Sequence, residues 1–318
     1  MIGSMKIFTS DQYRRAARFL ETRARPLEHL RFLHDRKEAS AADVVTELCR
    51  YQNEDGGFGR ALEPDMRSPQ SSVLATTEAL FILKELGDDE ACTAPAANAV
   101  AWLLSSASGY DGERNIWPYL IVLNEDAAHA PWWNLEQLEE CFDGFLINPF
   151  TRITALLLHW ADLVPGGLDG DYLSSLVETS LVRAESLTGT PPPDTLRSLL
   201  MLRESPLSGE SRLRLEQLLP DMIRNAVVTD PAGWTEYGLQ PLEVVSGPSE
   251  YGHTILGKAL KLQLDYLIDT QEESGSWKPF WHWAGAFPET WKQAEQEWSG
   301  VLTLRYLRIL AAFGRMES

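Results

Sequence analysis

Apolar residues recur at three- and four-residue spacing along most of the chain, and the strict alternation of a half-buried strand is scarce. Thr9–Ser10–Asp11 offers a cap for a first helix ending near Ala24, and Pro26 interrupts before a second segment to about His34. Further helices are predicted at about 41–52, 71–86, 95–106, 135–143, 150–163, 171–187, 193–204, 210–227, 251–270 and 297–313. Pro192–Pro193–Asp194 and Ser208–Gly209–Glu210 are start signals, and Gly87 and Gly314 sit where helices stop. Four longer loops remain, 53–70, 107–134, 228–250 and 272–296, and they hold eight of the eleven tryptophans. If the helices alternate in direction, these loops emerge at one end, where sites are usually found.

Two of the helix ends are spelled on one template. Residues 52–58 read QNEDGGF and residues 271–277 read QEESGSW. Each opens with Gln, carries Gly four places on (Gly56, Gly275) and an aromatic six places on (Phe58, Trp277). The stretches 105–119 and 230–234 keep the Gly-aromatic part and lose the Gln. The good copies start 219 residues apart, as four intervals of roughly 55 residues would place them. A unit reused at helix ends is the mark of a repeat architecture.

The template resembles the glutamine–tryptophan repeat of squalene–hopene and oxidosqualene cyclases, with a weaker echo in protein prenyltransferase β subunits. That resemblance implies an all-α fold, an α/α toroid of about five to six helical hairpins formed as a single domain over residues 5–318. It also implies that the Gln ties neighbouring helix pairs together. In those families the repeat is structural, so the resemblance bears on fold before function.

Composition narrows the field. The apolar fraction of 44% is globular, and no run reaches the ~18 apolar residues of a membrane span. Met1–Ser4 read as a cloning remnant, and no signal peptide is apparent. Cys49, Cys92 and Cys141, odd in number and widely spaced, argue against a disulfide framework and a cysteine-rich zinc site, and suit a reducing cytoplasm. A formal charge of −18 makes nucleic acid an unfit partner and disfavours an anionic membrane surface.

Candidate chemistry lies in the loops. Glu63, Asp65 and Arg67 precede a predicted helix; they could form an acid–base or ligand site, or Asp65 or Ser68 could simply cap that helix. The segment 234–253 gathers Glu236, Tyr237, Glu243, Glu250, Tyr251 and His253, material for general acid–base catalysis or for a metal site, although loop glutamates are ordinarily solvated. His129 lies two residues before Pro131–Trp132–Trp133, and His282 and Glu289 are the polar members of a second aromatic cluster. Trp117, Trp132, Trp133, Trp234, Trp281 and Trp283 could line a cavity for a hydrophobic or cationic guest, or serve as ordinary packing.

The absences are as informative. The Asp-X-Asp-Asp acid motif of class II terpenoid cyclases is missing; LDGDYL (168–173) comes nearest. GDDEAC (87–92) does not fit the Asp-rich Mg²⁺ motif of class I enzymes, and no cysteine has the prenyltransferase zinc context. The leading expectation is therefore binding or cyclisation of an isoprenoid- or lipid-like molecule by a cyclase-like chain with a displaced acid at Asp65, Glu236 or Glu250. No cofactor is expected, except Mg²⁺ if the substrate is a diphosphate. Two alternatives stand beside it: a carbohydrate-active toroid, in which Trp faces stack on sugars, and a non-catalytic scaffold.

Overall fold

The computed structural model describes residues 5–109, 115–117, 119, 127–141, 143–164 and 166–317. The chain is all-α. The helices are α1 (Ser10–Thr22), α2 (Pro26–Asp35), α3 (Ala41–Leu48), α4 (Val73–Glu85), α5 (Thr93–Ser106), α6 (Leu135–Cys141) and α7 (Phe150–Trp160). They continue as α8 (Gly170–Glu185), α9 (Pro193–Glu204), α10 (Gly209–Ala226), α11 (Pro241–Val244), α12 (His253–Asp269) and α13 (Pro288–Ala312). Among the described residues, extended pairing is confined to a two-residue ladder, β1 (Ser108–Gly109) with β2 (Asn115–Ile116), and four single bridges.

Local chemistry accounts for many of the boundaries. The Thr9 hydroxyl accepts from the Gln12 N–H while the Gln12 side chain accepts from Thr9, and Ser40 and Asp43 repeat this reciprocal cap at α3. Pro26 and Pro193 occupy first helical positions, where a missing N–H costs nothing. Gly87 and Gly314 take the left-handed backbone that ends a helix. Two boundaries differ from expectation. The predicted helix at 41–52 stops at Leu48 and tightens into a 3₁₀ turn over Cys49–Tyr51. The last helix begins at Pro288, not near 297, so Trp291 lies in α13 rather than in a loop. Its first turns carry mostly polar residues, which left no apolar stripe to read.

The described residues fall into two compact units. One comprises 5–39, 220–282 and 288–317; the other comprises 40–219 with Trp283–Phe287. In the second unit α4 and α7 are buried on nearly every side, α4 packing on α5 and α7, and α7 on α5, α8 and α9. In the first, α1, α2 and α13 pack together, and the segments flanking α1 and α13 pair directly. There the Phe8 N–H donates to the Arg315 carbonyl at 2.7 Å, and the Glu317 N–H to the Phe8 carbonyl at 2.9 Å.

Each unit holds one copy of the repeat, and the two copies make the same bonds. Gln52 Nε2 donates to its own turn at the Gly56 carbonyl (2.9 Å) and to the Pro95 carbonyl (3.2 Å), on the third residue of α5. Gln271 Nε2 donates to the Gly275 carbonyl (2.9 Å) and to the Gln12 carbonyl (2.9 Å), on the third residue of α1. Gly56 and Gly275 have φ of 93° and 91°. A Cβ on Gly56 would lie 2.8 Å from the Asn98 carbonyl oxygen, and one on Gly275 would overlap the Arg15 carbonyl, both in the second turn of the clamped helix. Phe58 N–H and Trp277 N–H then donate to buried threonines, Thr76 at 2.9 Å and Thr303 at 3.3 Å. The expected tie between helices is thus present in each unit.

Left-handed strain and steric overlap add at these glycines and not at Gly87, which has a φ of 76° but open space around it. Gly56→Ala and Gly275→Ala are each expected to lose about 2–4 kcal/mol, and Gly87→Ala about 1 kcal/mol. Urea unfolding measures the difference; equal losses at all three would refute the clamp.

Candidate functional site

The loop between the first repeat and α4 is closed at its base. Gly59 N–H donates to the Tyr51 carbonyl (3.0 Å) and Ser72 N–H to the Phe58 carbonyl (2.9 Å), so residues 60–71 leave and return at one place. Ser72 itself caps α4, its hydroxyl accepting from the Ala75 N–H at 3.1 Å. Ser72, the residue adjoining the helix, thus caps it in place of Asp65 or Ser68, while the Ser68 hydroxyl accepts from the Gln70 N–H at 3.4 Å within the loop. Within the excursion, Glu63 to Met66 forms a turn closed by the Met66 N–H and the Glu63 carbonyl at 3.1 Å. Arg67 N–H donates to the Ala128 carbonyl (3.0 Å) and Ala130 N–H to the Asp65 carbonyl (2.8 Å), which lays this turn beside His129.

Asp65 is 2% exposed, and its Oδ1 accepts from the indole N–H of Trp283 at 2.7 Å. Trp283 is itself buried and meets the ring of Phe287 edge-on at 6.4 Å. Phe287, in turn, lies 5.7 Å from the ring of His129. His129 Nδ1 is 2.8 Å from the Ala127 carbonyl, which can only accept, so the ring proton is on Nδ1 and Nε2 is the basic nitrogen. One end of the second unit therefore brings together a buried carboxylate, an oriented imidazole and two aromatic rings. Glu63 is also buried in this loop, and Arg67 is half-buried. Trp133 is buried against Tyr119 at 5.4 Å, its main-chain N–H donating to the Ala130 carbonyl, and Trp132 is half-buried beside it.

The other sequence candidates have contacts of their own. Asp65 lies in one unit and Glu236, Glu250 and His253 in the other. Glu236 is exposed, and Tyr237 is 79% exposed. Glu250 accepts from the Ser246 N–H (2.6 Å) and hydroxyl (2.5 Å), stapling an exposed turn. His253 opens α12 with its ring stacked on Phe313 at 6.0 Å. His282 and Glu289 are exposed, Glu289 pairing with Lys292 at 2.9 Å. The nearest relatives of the missing acid motifs are helix-start chemistry: Asp169 caps α8, and Asp89 accepts from the Ala91 N–H.

Several tryptophans have a structural task in common. Trp277 Nε1 donates to the Leu267 carbonyl at 2.9 Å in the last turn of α12, and Trp117 Nε1 donates to the Leu103 carbonyl at 2.7 Å in the last turn of α5. Trp234 Nε1 donates to the Val228 carbonyl at 2.7 Å just past α10. The Trp277 and Trp117 indoles thereby satisfy carbonyls in the last turn of a helix, where intrahelical partners run out. Residues 110–114 of the eroded copy lie outside the described residues. Trp281 is half-buried, edge-on to Phe280 and Trp298 at 5.1 Å each.

Among the described residues no group of three or more His, Cys, Asp or Glu side chains is placed to hold a metal, and no helix is long and apolar enough to cross a membrane. Burial raises the pKa of the Cys49 and Cys92 thiols, which keeps them protonated and poorly nucleophilic. Comparison with known proteins finds no family model, no curated protein and no solved structure that matches the chain.

Nothing in its sequence context marks Phe287, because its partner His129 lies more than 150 residues earlier in the chain. If the Trp283 indole is the donor that lets Asp65 be buried, the two side chains are energetically coupled. A double-mutant cycle of Trp283→Phe and Asp65→Asn is expected to show a coupling of about 1–3 kcal/mol. Strict additivity would mean that the bond contributes nothing.

Proposed function

We propose that the chain binds a hydrophobic, isoprenoid- or lipid-like small molecule and that Asp65 is its acid, in the manner of a terpenoid cyclase without the Asp-X-Asp-Asp motif. The observation that carries this reading is the burial of Asp65 against the Trp283 indole, from which ring contacts lead to Phe287 and His129. A carboxyl group removed from water is disfavoured in its charged form and can retain a transferable proton. In the proposed reaction Asp65 adds its proton to a carbon–carbon double bond, and the resulting cation spreads or cyclises along the substrate. The faces of neighbouring aromatic rings, Phe287 foremost, stabilise the positive charge. His129 Nε2 then removes a proton from the carbon beside the final cation, restoring a double bond. Asp65 regains its proton from water and His129 releases one, so the net change is an isomerisation that needs no cofactor. Mg²⁺ would enter only with a diphosphate substrate.

A sugar-processing role would call for open Trp faces, and none of the eleven tryptophans is exposed.

The test is a thermal-shift screen with squalene-like polyenes in detergent, prenyl diphosphates with and without Mg²⁺, and oligosaccharides. A ligand at 100 times its Kd adds about 2.7 kcal/mol, a shift of a couple of degrees in a chain of this size. A polyene or prenyl compound is expected to raise the midpoint, and Asp65→Asn to keep that shift while abolishing product. A response to sugars alone, or a full yield of product from Asp65→Asn, would overturn the proposal.

A further inference from the structure

A second buried polar cluster lies in the same unit, around the start of α7, and its groups belong to none of the candidates already described. Asn148, two residues ahead of the helix, is 5% exposed. Its Oδ1 accepts from the Tyr119 hydroxyl at 2.7 Å, and the Ser198 hydroxyl lies 3.0 Å from it while sharing its one proton with the Asp194 carbonyl at 2.8 Å. With the amide oxygen toward Tyr119, Asn148 Nδ2 has no hydrogen-bond partner. Burial raises the Tyr119 pKa, so that hydroxyl stays a neutral donor.

Two further donors in the first turn of α7 are in the same condition. Thr151 is fully buried and its hydroxyl has no partner. Other helical threonines return the hydroxyl to the carbonyl four residues back: Thr22 to Arg18, Thr46 to Ala42, and Thr154 to Phe150. Arg152 pairs through Nη2 with Glu78 and lies over the Phe81 ring at 4.4 Å, while its Nε has no partner. The Tyr119 hydroxyl is within electrostatic reach of Arg152, Asp194 and Glu78, which ties these side chains into one group. No side chain caps α7, so the positive end of its dipole faces the same region.

Buried donors without acceptors are rare in folded proteins because each forfeits a bond it had in water. Here the unmet groups are all donors: an amide, a hydroxyl and a guanidinium N–H. The charges nearby cancel, Arg152 against Glu78 and Arg197 against Asp194 at 2.6 Å. A single negative charge with two oxygen acceptors suits such a surround better than a doubly charged phosphate, whose desolvation costs more. We propose that Asn148, Thr151 and Arg152 form a binding site for the carboxylate of a small organic acid. The site stands on its own observations, independent of the role proposed for Asp65.

Sodium acetate serves as the probe, against sodium chloride at equal ionic strength and against inorganic phosphate, with the thermal midpoint as readout. The wild-type chain is expected to gain stability with acetate beyond the chloride control, and none with phosphate. Thr151→Val removes a hydroxyl that has no partner while keeping the shape of the side chain. It is expected to raise the midpoint without acetate and to weaken acetate about tenfold or more. Asn148→Asp keeps an oxygen opposite Tyr119 and Ser198 but replaces the amide N–H groups, and its acetate response is expected to vanish. Should that variant fail to fold, Arg152→Lys, which keeps the charge beside Glu78 and removes Nε, takes its place. Equal acetate shifts in wild type, Thr151→Val and Arg152→Lys would overturn the proposal. So would a Thr151→Val chain less stable than wild type, which would mean the hydroxyl already has a partner such as buried water. Stabilisation by phosphate in preference to acetate would exclude the carboxylate.

Discussion

A glutamine carboxamide that holds its own turn with one N–H and a neighbouring helix with the other sets the geometry on which each unit depends. The helix carbonyl it reaches, on the third residue, has a second lone pair, so the clamp adds to the helical ladder without breaking it. The glycine four residues on brings backbone against backbone at the second turn of that helix, where a side chain has no room. A threonine then receives the N–H of the aromatic residue. In the second unit the clamp also sets the course of the chain beyond it. The backbone leaves at Gly59 and returns at Ser72 through bonds to Tyr51 and to Phe58 of the repeat, so the excursion carrying Glu63, Asp65 and Arg67 stands on a fixed base. The placement of the buried carboxylate is thus a consequence of the repeat, although the repeat does no chemistry.

The two copies reach their helices by different routes through the chain. In the second unit the clamp joins α3 and α4 to α5, the next helix in sequence. In the first it lies between α12 and α13, and the helix it grips is α1. The backbone bonds between Phe8, Arg315 and Glu317 bring α1 beside α13, so α1 stands to the second copy as α5 stands to the first. Equivalence of surroundings, down to the third- and sixth-residue positions on the gripped helix, explains why the motif tolerates Phe for Trp and Gly for Ser but keeps Gln and the positive-φ glycine.

The sequence was informative wherever the determining interaction is local. Helix positions, the Thr9 cap and the glycine stops depend on residues within four places of one another. So does the repeat, whose spacing is internal to a single turn. Two kinds of feature were illegible. The first is any pairing across the chain: Asp65 meets Trp283 from 218 residues away, and nothing near either residue announces it. The second is the use to which an aromatic is put. Trp117 and Trp277 lie in loops, as ligand-lining residues often do, yet their N–H groups close the ends of the preceding helices, and that of Trp234 holds the chain just beyond α10. Proximity in sequence misled in the opposite direction for Glu236, Glu250 and His253, which are near one another along the chain but are spent on solvent, a turn and a ring stack.

What remains after these structural tasks are subtracted is a small set of buried polar groups that the fold itself does not need. A buried group left short of partners costs about 1–3 kcal/mol, against a net stability of about 5–15 kcal/mol for an ordinary domain. An apolar residue of the same size at Thr151 would avoid that cost. Packing alone therefore argues against these residues, and their presence is better explained by something they do than by something they hold up. Such departures from local economy are where function is expected in a chain that is otherwise consistent at every level. Two such groups of opposite character lie in the second unit: a carboxylate and an imidazole beside aromatic rings, and a set of donors beside balanced charges. A ligand complementary to the first is apolar with a basic double bond, and a ligand complementary to the second carries oxygen acceptors. That contrast gives the two sites different chemical selectivity, and it lets each be probed with compounds to which the other is indifferent.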